Sequence, residues 1–543
     1  MQSAVTRSLL SLLIAVMMAP SGAAADATRA EAAARIRADV EFLADDSLEG
    51  REAGTDGYDD AADYVVRRLK EIGAQPANRD GWRQKIRLRS AVRDLDASRF
   101  IINSADGAEE LRHLDDYIAA RSYSRAGFHV EAPVVYVGYG VVAPEDGVDD
   151  YQGLDVAGKI VVAFDGAPPG MNTEKRAFYA KGEVKLSYAA ERGAAGFVAM
   201  PTKAEIARNK WPRVVSGAKA AGMTFFGPNR RPLIAAPDVR AVATLNESGA
   251  RKLFKGEEID YDALLAGEDG GKGAPKGFNL RKSATLSGRS FLSDATSANV
   301  IGIIRGSDRR LAKEVVLITA HLDHLGVTPG RKPGEDAIYN GAVDNASGVA
   351  VMLEAARMMA DAGERPKRTV AFVALTAEEK GLLGSQYMTI YSPFTGRRAV
   401  ADINIDMPVA LFPFTDVIAF GAERSTIGAT VEIAASEMGV ALAADPMPDE
   451  NFFVRSDHYS FIKAGVPSIF LRLGFSNGGE KALQDFLRDH YHQPSDDATL
   501  PIDYDALARF AELNFRIARA LADAPEPPAW NEGDFFGELF SAE

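Results

Sequence analysis

Glu314-Val315-Val316-Leu317-Ile318-Thr319-Ala320 runs directly into His321-Leu322-Asp323-His324-Leu325-Gly326. The aliphatic run does not alternate with polar residues, so it reads as a strand buried on both faces. The chain then turns on a histidine. In an open α/β sheet the loops at the carboxyl ends of strands build the ligand crevice, so His321 falls where chemistry is placed. Similar buried runs recur at 299–304, 369–375, 402–405 and 467–471. Helical spacing lies between them, in Val349, Met352, Leu353, Ala356 and Met359, and at the end in Leu507, Phe510, Ile517 and Leu521. Strand and helix in alternation predict an α/β domain, a mostly parallel sheet with helices on both faces.

Acids and histidines gather at these strand ends. Asp323 follows His321 at the spacing that suits a carboxylate fixing a metal-bound imidazole. Gly341-Ala342-Val343-Asp344-Asn345 opens the helix of Val349, and a carboxylate there can bridge two cations. Strand 369–375 ends in Thr376-Ala377-Glu378-Glu379, adjacent acids whose side chains diverge, so one can bind metal while the other handles protons. Asp406 ends another strand, and His490-Tyr491-His492 sits in a loop ahead of the last helix. Each piece alone has a bland reading, a helix cap or a solvated acid. Together they form a ligand set of imidazole and carboxylate without thiolate, suited to zinc and acceptable to manganese or cobalt.

The wider sequence narrows the function class. The chain has 543 residues, no cysteine and a net charge of −14. Disulfide scaffolds and thiol catalysis are excluded, and an acidic chain is a poor partner for nucleic acid. Arg7, the apolar run 9–18 and Ala23-Ala24-Ala25 read as a signal peptide at 1–25, cut near Ala25. The expected product is an exported protein, periplasmic or secreted, without stable membrane insertion. Ile36, Val40 and Leu43, then Ala61, Ala62, Val65 and Leu69, mark two amphipathic helices. They flank the turn-rich stretch 50–57. From about 125 to 285 the texture becomes β-rich, with a glycine-rich exit at 267–273.

The motifs as an ordered set resemble the zinc exopeptidases of peptidase family M28, in the aminopeptidase branch that carries an inserted protease-associated (PA) domain. The matching stretches are HLDHLG at 321–326, GAVDNASG at 341–348, TAEEKGLLGS at 376–385, INIDM at 403–407, RSDHYSF at 455–461 and YHQPSD at 491–496. GREAGTDG at 50–57 matches an N-terminal motif, while GYGVVAPE at 138–145 and GAAGF at 193–197 resemble the insertion.

The resemblance implies two metals bridged by Asp344, one completed by His321 and Asp406, the other by Glu379 and His492. It implies Glu378 as general base, Tyr491 as an oxyanion donor, Asp323 as the group orienting His321, and a cis peptide after Asp344. It divides the chain into a signal peptide (1–25), an N-terminal part of the peptidase domain (26–124), a PA-like insertion (125–285) overhanging the cleft, a catalytic part (286–523) and a tail (524–543). The implied activity is removal of N-terminal residues from peptides with a free amine. A carboxypeptidase of the same fold, using Arg455, stays open as an alternative, as do a glutaminyl cyclase-like transferase and a non-catalytic binding protein.

Overall fold

The computed structural model describes residues 22–77, 81–268, 275–328 and 334–541. Residues 1–21, which carry most of the expected signal peptide, and the glycine-rich stretch 269–274 lie outside the described residues.

The buried runs form the strands Thr369–Leu375, Glu314–His321, Arg398–Ile405 and Ser468–Leu473, side by side in that order and all parallel. Antiparallel strands flank them: Asp416–Phe420 on one side and the second half of Phe278–Ile304 on the other. Pleating divides their side chains between two cores. Val316, Ile318 and Ala320 face a core shared with the helices Gly22–Leu43, Ser347–Asp361 and Tyr504–Asp523. Val315 and Leu317 face the opposite side, against Met388 and Phe461. The expected layers of helix, mostly parallel sheet and helix are therefore present.

The N-terminal segment belongs to this unit. Ile36, Val40 and Leu43 are fully buried in the same core. The helix Asp56–Ile72 begins on a Thr55 cap, whose hydroxyl accepts from the Tyr58 amide at 3.3 Å. Its Tyr58 hydroxyl donates to the Ala298 carbonyl at 2.7 Å.

A second sheet has its own core, including Phe100, Tyr136, Val162, Val198, Ala243 and Leu286. Phe278–Ile304 is one strand of 27 residues that serves both sheets. Its first part pairs with Arg99–Ser104 and Gly127–Tyr136, and residues 290–300 pair with Arg83–Arg93. Strands at 99–104, 107–111 and 117–119, ahead of position 125, also join the second sheet. Behind the main sheet the C-terminal tail docks: Phe536 is fully buried beside Phe453 and Tyr459, and the Trp530 indole donates to the Gly465 carbonyl.

Candidate metal centre

Parallel strands deliver the expected residues to one point. His321 ends its strand, Glu378 and Glu379 follow Thr369–Leu375, and Asp406 follows Arg398–Ile405. Asp344 lies in the turn before the helix Ser347–Asp361, and its peptide bond to Asn345 is cis. His492 comes from the loop after the helix Gly479–Asp489.

The two oxygens of Asp344 face different histidines. Oδ1 lies 3.2 Å from His321 Nε2, and that nitrogen is also 3.2 Å from Asp406 Oδ1. Oδ2 lies 3.4 Å from His492 Nε2, which is 3.4 Å from Glu379 Oε2. A tetrahedral zinc site with bonds of ~2.0–2.1 Å spaces its ligand atoms by about 3.3 Å, a spacing these contacts approach; the donor atoms of His321, Asp344 and Asp406 lie within 4.8 Å of one another, and so do those of His324, Asp344 and Glu379. His324 adds a feature that the sequence reading left out. It is fully buried, with Nδ1 2.8 Å from Glu379 Oε1 and 4.0 Å from Asp344 Oδ2. Within the 321–326 motif the sequence reading named His321 alone as a ligand, whereas the structure brings both histidines of the motif to the centre.

The electrostatics separate the adjacent acids. Burial pushes Glu378 up, His321 opposes this, and the charges of Glu379, Asp406 and Asp457 hold it well above the carboxylate range. Burial acts on Glu379 in the same sense. There it is outweighed by the His492 charge and by hydrogen bonds from His324 and His492, which hold Glu379 well below that range. Asp344 is likewise held low, against its burial, by hydrogen bonds from His321 and His492. One neighbour is thus kept ionised for a cation, and the other can carry a proton.

Supporting contacts fix the ligands. Asp323 does not orient His321 through its carboxylate, as the spacing suggested. Its backbone carbonyl accepts from His321 Nδ1 at 3.1 Å, while its carboxylate accepts from the amides of Glu378 and Glu379 at 3.0 and 3.3 Å. A buried acid at the end of a strand finds unpaired amides of the next turn nearer than a ring already served by a carbonyl. Asp496 accepts from the amides of Val343 and Asp344, and Ser456 donates to Asp406 Oδ2 at 2.6 Å. Arg51 is almost fully buried and donates to the carbonyls of Leu43, Leu322, Asn340 and Gly341. Nothing in the sequence around Arg51 or Asp496 reveals these distant backbone partners.

A cavity of about 460 Å³ opens onto Glu378, Glu379 and Tyr491. The Tyr491 ring stacks on His492 with centroids 3.8 Å apart. A larger cavity of about 860 Å³, bordered by Arg424 and Glu432, touches none of the clustered ligands. Neither of two other histidines joins the centre: His458 donates to the Phe453 carbonyl at 2.6 Å, and His490 pairs with Ser495.

Parts of the chain are similar to known proteins. Residues 299–518 match the model for peptidase family M28. A probable zinc metalloprotease of Pyricularia oryzae is 29% identical over 271 residues, 42% of this chain and 50% of that protein. An aminopeptidase of Bacillus subtilis is 35% identical over 128 residues, 23% of this chain and 25% of that protein. The chain thus matches half or less of the length of these curated relatives. Among solved structures, an aminopeptidase from Aneurinibacillus sp. strain AM-1 aligns with a TM-score of 0.52 and 20% identity, covering 91% of this chain and 95% of that one. That likeness is one of fold.

Proposed function

We propose that the chain, whose residues 299–518 match the model for peptidase family M28, is a zinc-dependent exopeptidase with two ions, an aminopeptidase acting on peptides with a free amino terminus. The observation that carries this reading is Asp344, whose two oxygens face separate imidazole–carboxylate groups. His321 and Asp406 would hold one ion, Glu379 and His492 the other.

When bound, such ions would lower the pKa of a water and polarise a carbonyl. Glu378 accepts the proton of the attacking water and returns it to the leaving amine, a role suited to a carboxylate whose pKa is pushed up. Tyr491, in the wall of the same cavity, is placed to donate to the developing oxyanion. The carboxylates around the centre favour a substrate ammonium, which supports an aminopeptidase over an endopeptidase.

We read residues 1–25 as a signal peptide and the protein as exported. No helix among the described residues is long and apolar enough to cross a membrane. We read the second sheet as the inserted PA-like unit, widened to include the strands from 99 onward, with a role in limiting access to the cleft. Metal analysis with a matched substrate set tests the assignment. The expected result is about two zinc equivalents, with aminoacyl-anilides cleaved and their N-acetylated forms spared. Equal cleavage of blocked and free substrates would overturn the exopeptidase reading.

A further inference from the structure

The cavity that Glu378 and Glu379 line also carries cationic side chains. Lys181, Arg455 and Lys463 line it together with Glu378 and Glu379. Lys463 is paired with Glu183 at 3.0 Å. Arg455 pairs loosely with Glu450 at 3.5 Å, with both side chains well exposed, and its guanidinium lies 5.2 Å over the Phe452 ring. Lys181 donates to the Val454 carbonyl at 2.6 Å, next to Arg455, and lies 5.1 Å over the Tyr459 ring. A fourth cation, Arg213, stands 5.8 Å over the Tyr491 ring. This grouping occurs in a chain of net charge −14. The acids lining this cavity are Glu378, Glu379 and Glu183, the last of them engaged by Lys463.

Such a combination of charges matches a ligand with an ammonium at one end and a carboxylate at the other. An extended dipeptide spans roughly 7 Å, and pockets of ~300–1,000 Å³ hold small ligands, so a cavity of about 460 Å³ accepts it. We propose that Lys181 and Arg455 form a carboxylate-binding subsite on the leaving-group side, so that the preferred substrates release a fragment bearing an anionic group. That group is either the C-terminal carboxylate of a dipeptide or an acidic side chain. The inference rests on the aminopeptidase reading and deepens it. It also gives the second-sheet region a task, since Lys181 and Arg213 come from the segment between its strands Ile160–Phe164 and Ala241–Leu245. Recognition by fixed cations of this kind raises affinity for a carboxylate and discriminates against its uncharged amide.

The test compares leucyl-glycine with leucyl-glycinamide, and leucyl-glutamyl amide with leucyl-glutaminyl amide, on the zinc-loaded full chain. The expected result is a preference of about tenfold or more in kcat/KM for the anionic member of at least one pair, carried mainly by KM. The pair that shows it identifies the source of the carboxylate. Lys181→Met and Arg455→Gln should bring that ratio close to one, and Arg455→Lys should keep most of it. A merely structural role would lower both members together and leave the ratio as it was. Cleavage of leucyl-anilide with anionic and neutral members within twofold of each other sinks the subsite while sparing the aminopeptidase. If no free-amine substrate is cleaved, the aminopeptidase reading fails, and calorimetric binding of the same pairs decides the subsite: equal affinities would overturn it.

Discussion

Replacing Arg51 with methionine keeps a long apolar stem but removes every donor beneath the metal centre. The guanidinium donates to four carbonyls, three of them in the loops that carry His321 and Asp344. Hydrogen bonds from a charged donor contribute about 1.5–3 kcal/mol each, so four give roughly 6–8 kcal/mol at the low end. Burial opposes this, pushing Arg51 down from 12.5 to about 10. At 1.36 kcal/mol per pKa unit, that cost is about 3 kcal/mol. The remainder, roughly 3–5 kcal/mol, agrees with the usual penalty for breaking a buried charged contact. At ~2 °C per kcal/mol, the chelated variant should melt about 6–10 °C below wild type by calorimetry. Zinc affinity should fall ~10–100-fold, as it does when groups behind metal ligands are lost. A variant that melts within about 1 °C of wild type and binds zinc equally well would refute the clamp.

The other expected outcomes are more local. Glu378→Gln should retain zinc and fold but lose ~10²–10⁴-fold in kcat; full activity would show that another group is the base. Gly341 has φ of 62°, and a Cβ there would meet the Asp344 carbonyl oxygen and lie 2.7 Å from His324 Cδ2. Gly341→Ala should therefore cost more than the ~1–2 kcal/mol of the left-handed backbone alone and weaken zinc binding, both read by calorimetry. His458 is pushed by burial from 6.5 down to about 3. The unfolded chain then takes up a proton that the folded chain refuses, so stability is complete above pH 6.5 and is lost as pH falls toward 3. Between pH 7 and 5 this amounts to ~2 kcal/mol, and His458→Gln should flatten that part of a denaturation-versus-pH profile; an unchanged slope would assign the acid sensitivity elsewhere.

The parallel core was legible because its strands are short apolar runs, each ending in a polar residue that can do chemistry. His321, Glu379 and Asp406 needed only that pattern to be placed on one edge. The strand Arg83–Arg93 went unread although buried Ile86 and Leu88 alternate with Lys85, Arg87 and Arg89 at the period of a half-buried strand, because that alternation lasts only about five residues. The glycine-rich stretch at 267–273 suggested where the second sheet would end. The sheet instead continues into Phe278–Ile304, which passes unbroken into the main sheet, with Gly288 at the crossing. Sequence texture marks turns well, but it does not show which sheet a continuous strand serves.

The residues that hold the centre follow a different logic from those that form it. Ligands lie close to their own strands, and their residue types carry the signal. Arg51, Asp496 and Asp323 act on backbone amides and carbonyls, whose positions depend on tertiary packing and leave no trace in side-chain identity. This bears on the matched segment 299–518. Arg51 lies outside it, as does Arg35, which forms a two-point ion pair of 2.9 and 2.6 Å with buried Glu354 on the helix that follows Asp344. Tyr58 reaches Ala298, and Glu52 pairs with Lys380 at 2.7 Å, next in sequence to Glu378 and Glu379. The segment bearing the ligands is therefore not self-sufficient: the N-terminal helices close its core from one side and pin its ligand loops from beneath. The second sheet's place between these two parts follows from this, since the strands Arg83–Arg93 and Phe278–Ile304 that lead into and out of it are paired with each other. A unit entered and left through adjacent strands can be carried without disturbing the packing of the parts on either side.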